Sequence, residues 1–188
     1  MLNRELFYIS NLLSISRIIF LIPIYYLLKL QTSMGNYLAV LVMILAATTD
    51  IFDGRLARRL NQVTVYGRIL DPVVDKICIA VIGMILVATR DLPFWYFILI
   101  VVRDIAILLI GLILVFKTKM VVESNIVGKV TVTALAVVVI AFTLELDAVK
   151  WFFLWCSVVL IAASSVIYLI KMVTLLREKK ERYEKSLI

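Results

Sequence analysis

Four aspartates stand where apolar segments meet a short polar stretch of the sequence: Asp50, Asp53, Asp71 and Asp75. The first two close one apolar segment and the last two open the next. Because the connection is short, the two helices should be antiparallel neighbours, which predicts that the four carboxylates meet at one boundary of the membrane. Four like charges near lipid repel one another, and a divalent cation removes that conflict. Hard oxygen ligands of this kind indicate Mg²⁺, Mn²⁺ or Ca²⁺.

The spacing of these residues predicts two functional helix faces. Positions i, i+3, i+4, i+7 and i+8 of the first face are Asp50, Asp53, Gly54, Ala57 and Arg58. Positions i, i+4 and i+8 of the second face are Gly67, Asp71 and Asp75. Residues at this spacing share one side of a helix. Gly54 and Ala57 leave room for an extended ligand, and Arg58 can fork onto a phosphate. Metal ligands, clearance and a phosphate clamp are the parts that phosphoryl transfer needs.

Each residue taken singly also has a structural explanation. Asp71, before Pro72, could cap a helix. Arg58 and Arg59 could be positive anchors at the membrane surface. The ordered combination favours the catalytic interpretation over these separate ones.

The elements that position these residues are membrane helices. Of the 188 residues, 64% are hydrophobic, well above the value for soluble domains. Six apolar segments are long enough to cross a bilayer: 11–31, 36–58, 69–89, 93–116, 127–146 and 150–175. We therefore expect an all-α polytopic membrane protein with six transmembrane helices, forming a single domain over 1–188. Residues 1–10 are expected to form a short interfacial helix, and 176–188 a cytoplasmic tail that extends the sixth helix.

The basic residues predict the orientation. Thirteen Lys and Arg residues fall on the side that holds both termini: Arg4, Arg55, Arg58, Arg59, Arg68, Lys117, Lys119, Lys129, Arg177, Lys179, Lys180, Arg182 and Lys185. The other side has three: Lys29, Arg90 and Lys150. The positive-inside rule then places both termini and the four aspartates in the cytoplasm. This topology explains the net charge of +7. The basic residues lie in short loops between apolar segments, so they do not form the continuous basic surface on a soluble face that nucleic-acid binding needs.

Histidine and cysteine exclude several kinds of site. The chain contains no histidine, which rules out His-based zinc sites, Ser-His-Asp triads and a histidine base. Its two cysteines, Cys78 and Cys156, lack metal-ligand spacing and are expected to be buried core thiols.

The aspartate stripes resemble the signature of the CDP-alcohol phosphatidyltransferases. That signature reads D-x2-D-G-x2-A-R-x8-G-x3-D-x3-D, and every fixed position from Asp50 to Asp75 matches. Asn11-Leu-Leu-Ser-Ile-Ser-Arg17 and Pro23 also resemble the family's opening run, and the length and six-span plan agree along the chain.

The resemblance implies a role for each matching residue. Asp50, Asp53 and Asp71 would be the main ligands of two divalent ions, Mg²⁺ or Mn²⁺. Asp75 would lie near or on the second ion and would be the base that deprotonates the acceptor alcohol. The residues that hold or make room for the CDP moiety of CDP-diacylglycerol would be Gly54, Ala57, Arg58 and Gly67. The resemblance also implies release of CMP, a homodimer, and a bacterial inner membrane as the location.

The acceptor alcohol is indicated by fewer residues. Arg17, Arg103 and Lys129 could balance the acidic cluster, or they could bind an anionic acceptor. Leu70-Asp-Pro-Val-Val-Asp-Lys76 is similar to the form found in glycerophosphate and cardiolipin-forming members, so sn-glycerol 3-phosphate is the favoured acceptor. Arg103-Asp104 is closer to the cardiolipin type, and Gly128-Lys129 keeps only part of the usual fifth-span pattern. A cardiolipin synthase, or another family member with a different alcohol, therefore stays open.

A small ion transporter is the alternative from another class, because intramembrane carboxylates often mark ion pathways. Against it, all four aspartates lie near one membrane face, and no charge continues the path across the last two segments. Release of CMP from CDP-diacylglycerol would separate the two functions.

Overall fold

The computed structural model describes residues 9–59, 65–118 and 126–185. This part of the chain forms six α-helices and contains no strand. The helices are α1 (Ile9–Lys29), α2 (Ser33–Arg59), α3 (Val65–Thr89), α4 (Phe94–Thr118), α5 (Ile126–Thr143) and α6 (Asp147–Lys185). Each coincides with one of the six predicted apolar segments, so the all-α fold is confirmed.

Three helical windows within the described ranges are long and apolar enough to cross a membrane: Phe94–Gly111, Ile126–Thr143 and Asp147–Thr174. Ser33–Thr49 is also apolar, but it is shorter within the described residues. The three long apolar helices make the chain a membrane protein, while the count of six spans stays a prediction. The expected interfacial helix over 1–10 lies almost entirely outside the described residues.

The side chains of the membrane-length helices face mainly outward. Only 22% of the Phe94–Gly111 window and 22% of the Asp147–Thr174 window are buried. Large apolar side chains such as Val102, Phe152 and Trp155 are exposed, as lipid contact requires. Cys156 lies on this exposed surface and Cys78 is half-buried. The prediction of buried core thiols is therefore wrong for Cys156, because an apolar sequence context is the same for lipid-facing and core positions.

The C-terminal ends of α1, α3 and α5 follow a common pattern. Gln31, Asp91 and Glu145 adopt positive φ angles of 51°, 55° and 54°, a left-handed conformation that stops a helix. At the end of α5, Glu145 N donates to Phe142 O and Leu146 N donates to Ala141 O, which is the Schellman arrangement. At the start of α2, Thr32 Oγ1 accepts from Gly35 N at 3.1 Å and caps the helix.

The chain divides into two compact units. The first holds the described residues up to Phe97 together with Val139–Leu146. Within it, α1 packs against both α2 and α3, and its buried side chains include Ile24, Leu28 and Leu86. The second unit holds Ile98–Val138 and the described residues from Asp147 onward. In this unit Thr131 Oγ1 of α5 lies 3.2 Å from Leu160 O of α6, which joins those two helices. A single domain over 1–188 stays a prediction.

Arg90 forms a buried polar cluster in the first unit. Its Nη2 donates to Leu28 O at 3.0 Å and to Asn36 Oδ1 at 2.5 Å. Its Nε lies 3.3 Å from Glu145 Oε1. This Arg90 cluster (Arg90, Asn36, Glu145 and the Leu28 carbonyl) connects the end of α3 to α1, α2 and the end of α5.

Candidate active site

Two helices carry the signature aspartates. The backbone is helical through Asp50 and Asp53 near the end of α2, and through Asp71 and Asp75 in the first half of α3. The periodicity used to predict two functional faces therefore applies to these residues. Because α1 packs against both α2 and α3, the two signature helices share a neighbour.

The side chains of most signature residues lie outside the described part of the structure: Asp50, Asp53, Gly54, Ala57, Arg58, Gly67 and Asp71. Their convergence on one pocket accordingly remains a prediction from the spacing. Asp75 is the signature aspartate whose side chain is described.

Asp75 forms an ion pair with Arg17. The Arg17 guanidinium on α1 contacts Asp75 Oδ1 on α3, and the two side chains are 12% and 46% exposed, respectively. The predicted acceptor residue Arg17 and the predicted base Asp75 are therefore direct neighbours. This pairing supports charge balance as one role for Arg17, because a partly buried carboxylate is stabilised by an opposite charge.

The residues fit a divalent cation by their chemistry. Carboxylate oxygens suit hard cations such as Mg²⁺, and the Asp75 side chain, although paired with Arg17, is 46% exposed. Among the residues that the structure describes, no group of three or more acidic or sulfur ligands is assembled, and Asp50, Asp53 and Asp71 fall outside that set.

The other two predicted acceptor residues belong to the second unit. Lys129 is exposed on α5, whereas Arg103 is buried on α4. Arg103 Nη1 lies 2.7 Å from Asp104 Oδ1, and Nη2 donates to Ser164 Oγ of α6 at 3.1 Å.

Ser164 was missed by sequence reasoning, although one signal pointed to it. It stands in Ala162-Ala163-Ser164-Ser165, a small and polar interruption of an apolar helix. Such residues are enriched where membrane helices approach one another. The signal does not say which residue on another helix is the partner.

Comparison with known sequences shows the family. A sequence model of the CDP-alcohol phosphatidyltransferases matches residues 7–163. The chain belongs to the CDP-alcohol phosphatidyltransferase family, as the signature predicted. Members of this family generally use divalent metals.

Three relatives are each named CDP-diacylglycerol–glycerol-3-phosphate 3-phosphatidyltransferase. The Bacillus subtilis (strain 168) protein is 32% identical over 153 residues, covering 74% of this chain and 78% of the relative. The Wigglesworthia glossinidia brevipalpis protein is 45% identical over 91 residues, covering 47% and 48%. The Escherichia coli (strain K12) protein is 44% identical over 90 residues, also covering 47% and 48%. The chain thus spans about half the length of the last two relatives.

Proposed function

We propose that this protein transfers a phosphatidyl group from CDP-diacylglycerol to sn-glycerol 3-phosphate and releases CMP. The observation that carries the proposal is the complete signature from Asp50 to Asp75, with its residues distributed over α2 and α3. The relatives' names support both substrates.

The chemistry assigned to the chain's own residues is direct displacement. The Asp75 carboxylate takes the proton of the acceptor hydroxyl, whose oxygen attacks the β-phosphorus of the diphosphate. The bond from that phosphorus to the CMP oxygen breaks, and CMP leaves with the electron pair. Arg58 binds the phosphate of the departing CMP, and Gly54, Ala57 and Gly67 leave space for the nucleotide.

Two divalent ions complete this proposal. Asp50, Asp53 and Asp71 would hold them, with Asp75 near or on the second. Bound divalent ions neutralise the charge on the diphosphate and on the leaving group. The donor set of four carboxylates supports Mg²⁺ or Mn²⁺.

The acceptor end of the proposal rests on cationic residues. Arg17, Arg103 and Lys129 would bind the phosphate of glycerol 3-phosphate. The contact between Arg17 and Asp75 supports this role for Arg17, because a guanidinium has five donors and can serve a carboxylate and a phosphate together. An anionic acceptor held there would have its hydroxyl beside the proposed base.

The proposal extends to location and assembly. Both termini and the active site would face the cytoplasm, in a bacterial inner membrane, and the protein would be a homodimer. The distribution of Lys and Arg supports the orientation, and the family resemblance supports the dimer. Crosslinking in native membranes, followed by mass determination in detergent, tests the dimer.

The deciding experiment measures products. Purified protein is given CDP-diacylglycerol, Mg²⁺ and one acceptor at a time: glycerol 3-phosphate, phosphatidylglycerol, inositol phosphate or serine. We expect CMP release and phosphatidylglycerophosphate with the first acceptor. Lipid product only with phosphatidylglycerol would identify a cardiolipin synthase, and product only with serine or inositol phosphate would also contradict our acceptor. Absence of CMP release with every acceptor would reject the transferase and reopen the ion transporter.

A further inference from the structure

A buried arginine joins two membrane-length helices of the second unit. Arg103 lies in the Phe94–Gly111 window of α4 and Ser164 in the Asp147–Thr174 window of α6. Arg103 is 7% exposed and Ser164 is 0% exposed. Charged side chains within membrane helices are costly, usually face the protein interior and are usually functional. The partners of Arg103 therefore bear on function.

Two side chains hold the Arg103 guanidinium from different helices. Asp104, the next residue of α4, pairs with Nη1 at 2.7 Å and neutralises the charge. Ser164 of α6 accepts from Nη2 at 3.1 Å. A single contact would leave the planar guanidinium free to rotate about the contacted nitrogen, whereas two contacts from two helices restrict its orientation.

Ser164 differs from its neighbour in how its hydroxyl is used. Ser165 donates to the Ile161 carbonyl of its own helix at 2.8 Å, the usual way in which a helical serine is satisfied. Ser164 instead accepts a hydrogen bond from a residue 61 positions away in the chain. Its hydroxyl therefore serves the arginine.

One nitrogen of Arg103 takes part in neither of these contacts. Its Nε is buried and has no hydrogen-bond partner among the described residues. A buried donor without an acceptor costs free energy, and the cost is larger where no water can replace the acceptor. An anionic oxygen is the kind of ligand that would satisfy this donor, and phosphate oxygens pair well with a guanidinium.

We propose that Ser164 is a positioning residue that orients the Arg103 guanidinium toward the phosphate of the acceptor alcohol. The proposal rests on the proposed function, in which Arg103 binds that phosphate. Ser164 touches neither substrate and acts through the arginine. A purely structural Arg103–Asp104–Ser164 contact is the competing explanation, and the two differ in which kinetic constant responds.

The first test is a split between kinetic constants. Ser164→Ala should raise the KM for glycerol 3-phosphate about tenfold, the scale of losing one hydrogen bond to a charged group. The kcat and the KM for CDP-diacylglycerol should stay within about twofold, on the scale of the small effects expected away from a lost contact. Ser164→Thr keeps the hydroxyl and should restore the KM. Ser165→Ala is the matched control and should leave all three constants unchanged.

The second test asks whether Ser164 acts through Arg103. In an Arg103→Gln background, Ser164→Ala should add no further increase in the KM for glycerol 3-phosphate, because residues in one network are not additive. Additive effects of the two substitutions would overturn the proposal. So would a Ser164→Ala variant that lowers kcat and raises both KM values alike.

A binding measurement separates this proposal from the proposed function. Glycerol 3-phosphate should raise the thermal unfolding midpoint of the wild type and of Ser165→Ala, and Ser164→Ala should need about tenfold more of it for the same shift. This readout requires no turnover. If these shifts in the unfolding midpoint are observed but no CMP is released, the transferase function would be rejected and the positioning role of Ser164 would stand. No shift in the wild type, or an equal shift in Ser164→Ala, would overturn the positioning role.

Discussion

At the scale of single residues, Asp75 is where the two sequence motifs meet. The opening run contributes Arg17 from α1, and the signature contributes Asp75 from α3. The contact brings a cation next to the carboxylate proposed as the base. Charge neutralisation and positioning account for most phosphoryl-transfer catalysis, and under the proposed function this pair would contribute to both.

Replacing Asp75 by Asn tests its role as the base. Asn is nearly isosteric but cannot accept the hydroxyl proton, so kcat should fall by about 10²- to 10⁴-fold. CMP release measures the rate, and Mn²⁺ binding measured by electron paramagnetic resonance reports whether metal is still held.

Asp91→Asn is the control for the Asp75 substitution. Asp91 lies outside the signature, and Asn tolerates its positive φ of 55°. This variant should keep normal turnover. Near-normal turnover of Asp75→Asn with metal still bound would contradict the assignment of the base.

At the scale of helices, close approach of α1 and α2 depends on a glycine. A Cβ added at Gly35 would lie 2.7 Å from the Leu27 carbonyl oxygen and 3.0 Å from Thr32 Oγ1. The nearer atom belongs to the backbone of α1, so a side chain cannot simply rotate away. The turn from α1 to α2 carries both the Thr32 cap and the left-handed Gln31, and it fixes how α2 begins.

Gly35→Ala should therefore destabilise the protein. Overpacking costs about 1–3 kcal/mol, which exceeds the gain of up to about 1 kcal/mol from the higher helix propensity of Ala. Gly111→Ala in α4 is the matched control, because an added Cβ there meets no atom within 4 Å, and it should be neutral or mildly stabilising. Thermal unfolding in detergent compares the two variants, and equal midpoints would contradict the prediction.

The Arg90 cluster joins helix ends by hydrogen bonds rather than by exposed charge. Arg90 is 3% exposed and Asn36 is 5% exposed, whereas the Glu145 side chain is 54% exposed. Buried hydrogen bonds contribute much more than a solvated ion pair. The contacts of Arg90 with Leu28 O and Asn36 should therefore contribute most of the stability that the Arg90 cluster provides.

Arg90→Met should lower the free energy of unfolding by about 3 kcal/mol, since it leaves buried acceptors without their donor. Glu145→Gln should change it by less than about 1 kcal/mol. Denaturation in mixed detergent micelles measures both. A larger loss for Glu145→Gln than for Arg90→Met would reverse this assignment.

At the scale of the whole molecule, the apolar surface and the basic residues predict how the protein lies in the membrane. The membrane-length windows of α4 and α6 bury few of their residues, and thirteen Lys and Arg residues are assigned to one side against three on the other. The exposed apolar side chains can contact lipid. By the positive-inside rule, the uneven distribution of Lys and Arg predicts the orientation.

Cysteine labelling tests that orientation. In a background with Cys78 and Cys156 replaced by Ala, Met34→Cys in the exposed first turn of α2 should react with an impermeant maleimide in right-side-out vesicles. Ser186→Cys should react only in inverted vesicles. The reverse pattern would overturn the orientation, and reaction of both in the same vesicles would contradict an even number of spans.

The sequence by itself determined the class of structure and the family. Apolar runs bounded by polar turns predicted all six helices, because backbone groups in lipid must be bonded within a helix. The stretch from Asp50 to Asp75 predicted the family through its resemblance to the CDP-alcohol phosphatidyltransferase signature, and the family match over residues 7–163 confirms that prediction. The predicted boundaries differed from the observed ones by a few residues, as at 127–146 against Ile126–Thr143.

Only the tertiary structure decided which polar residues are partners. The pairs Arg90–Asn36 and Arg103–Ser164 join residues 54 and 61 positions apart, and nothing local in the sequence links them. Each pair depends on how two helices are rotated about their own axes, which is set by packing. The sequence also could not show that Cys156 is exposed, because a lipid-facing position and a core position have the same apolar neighbours in the sequence.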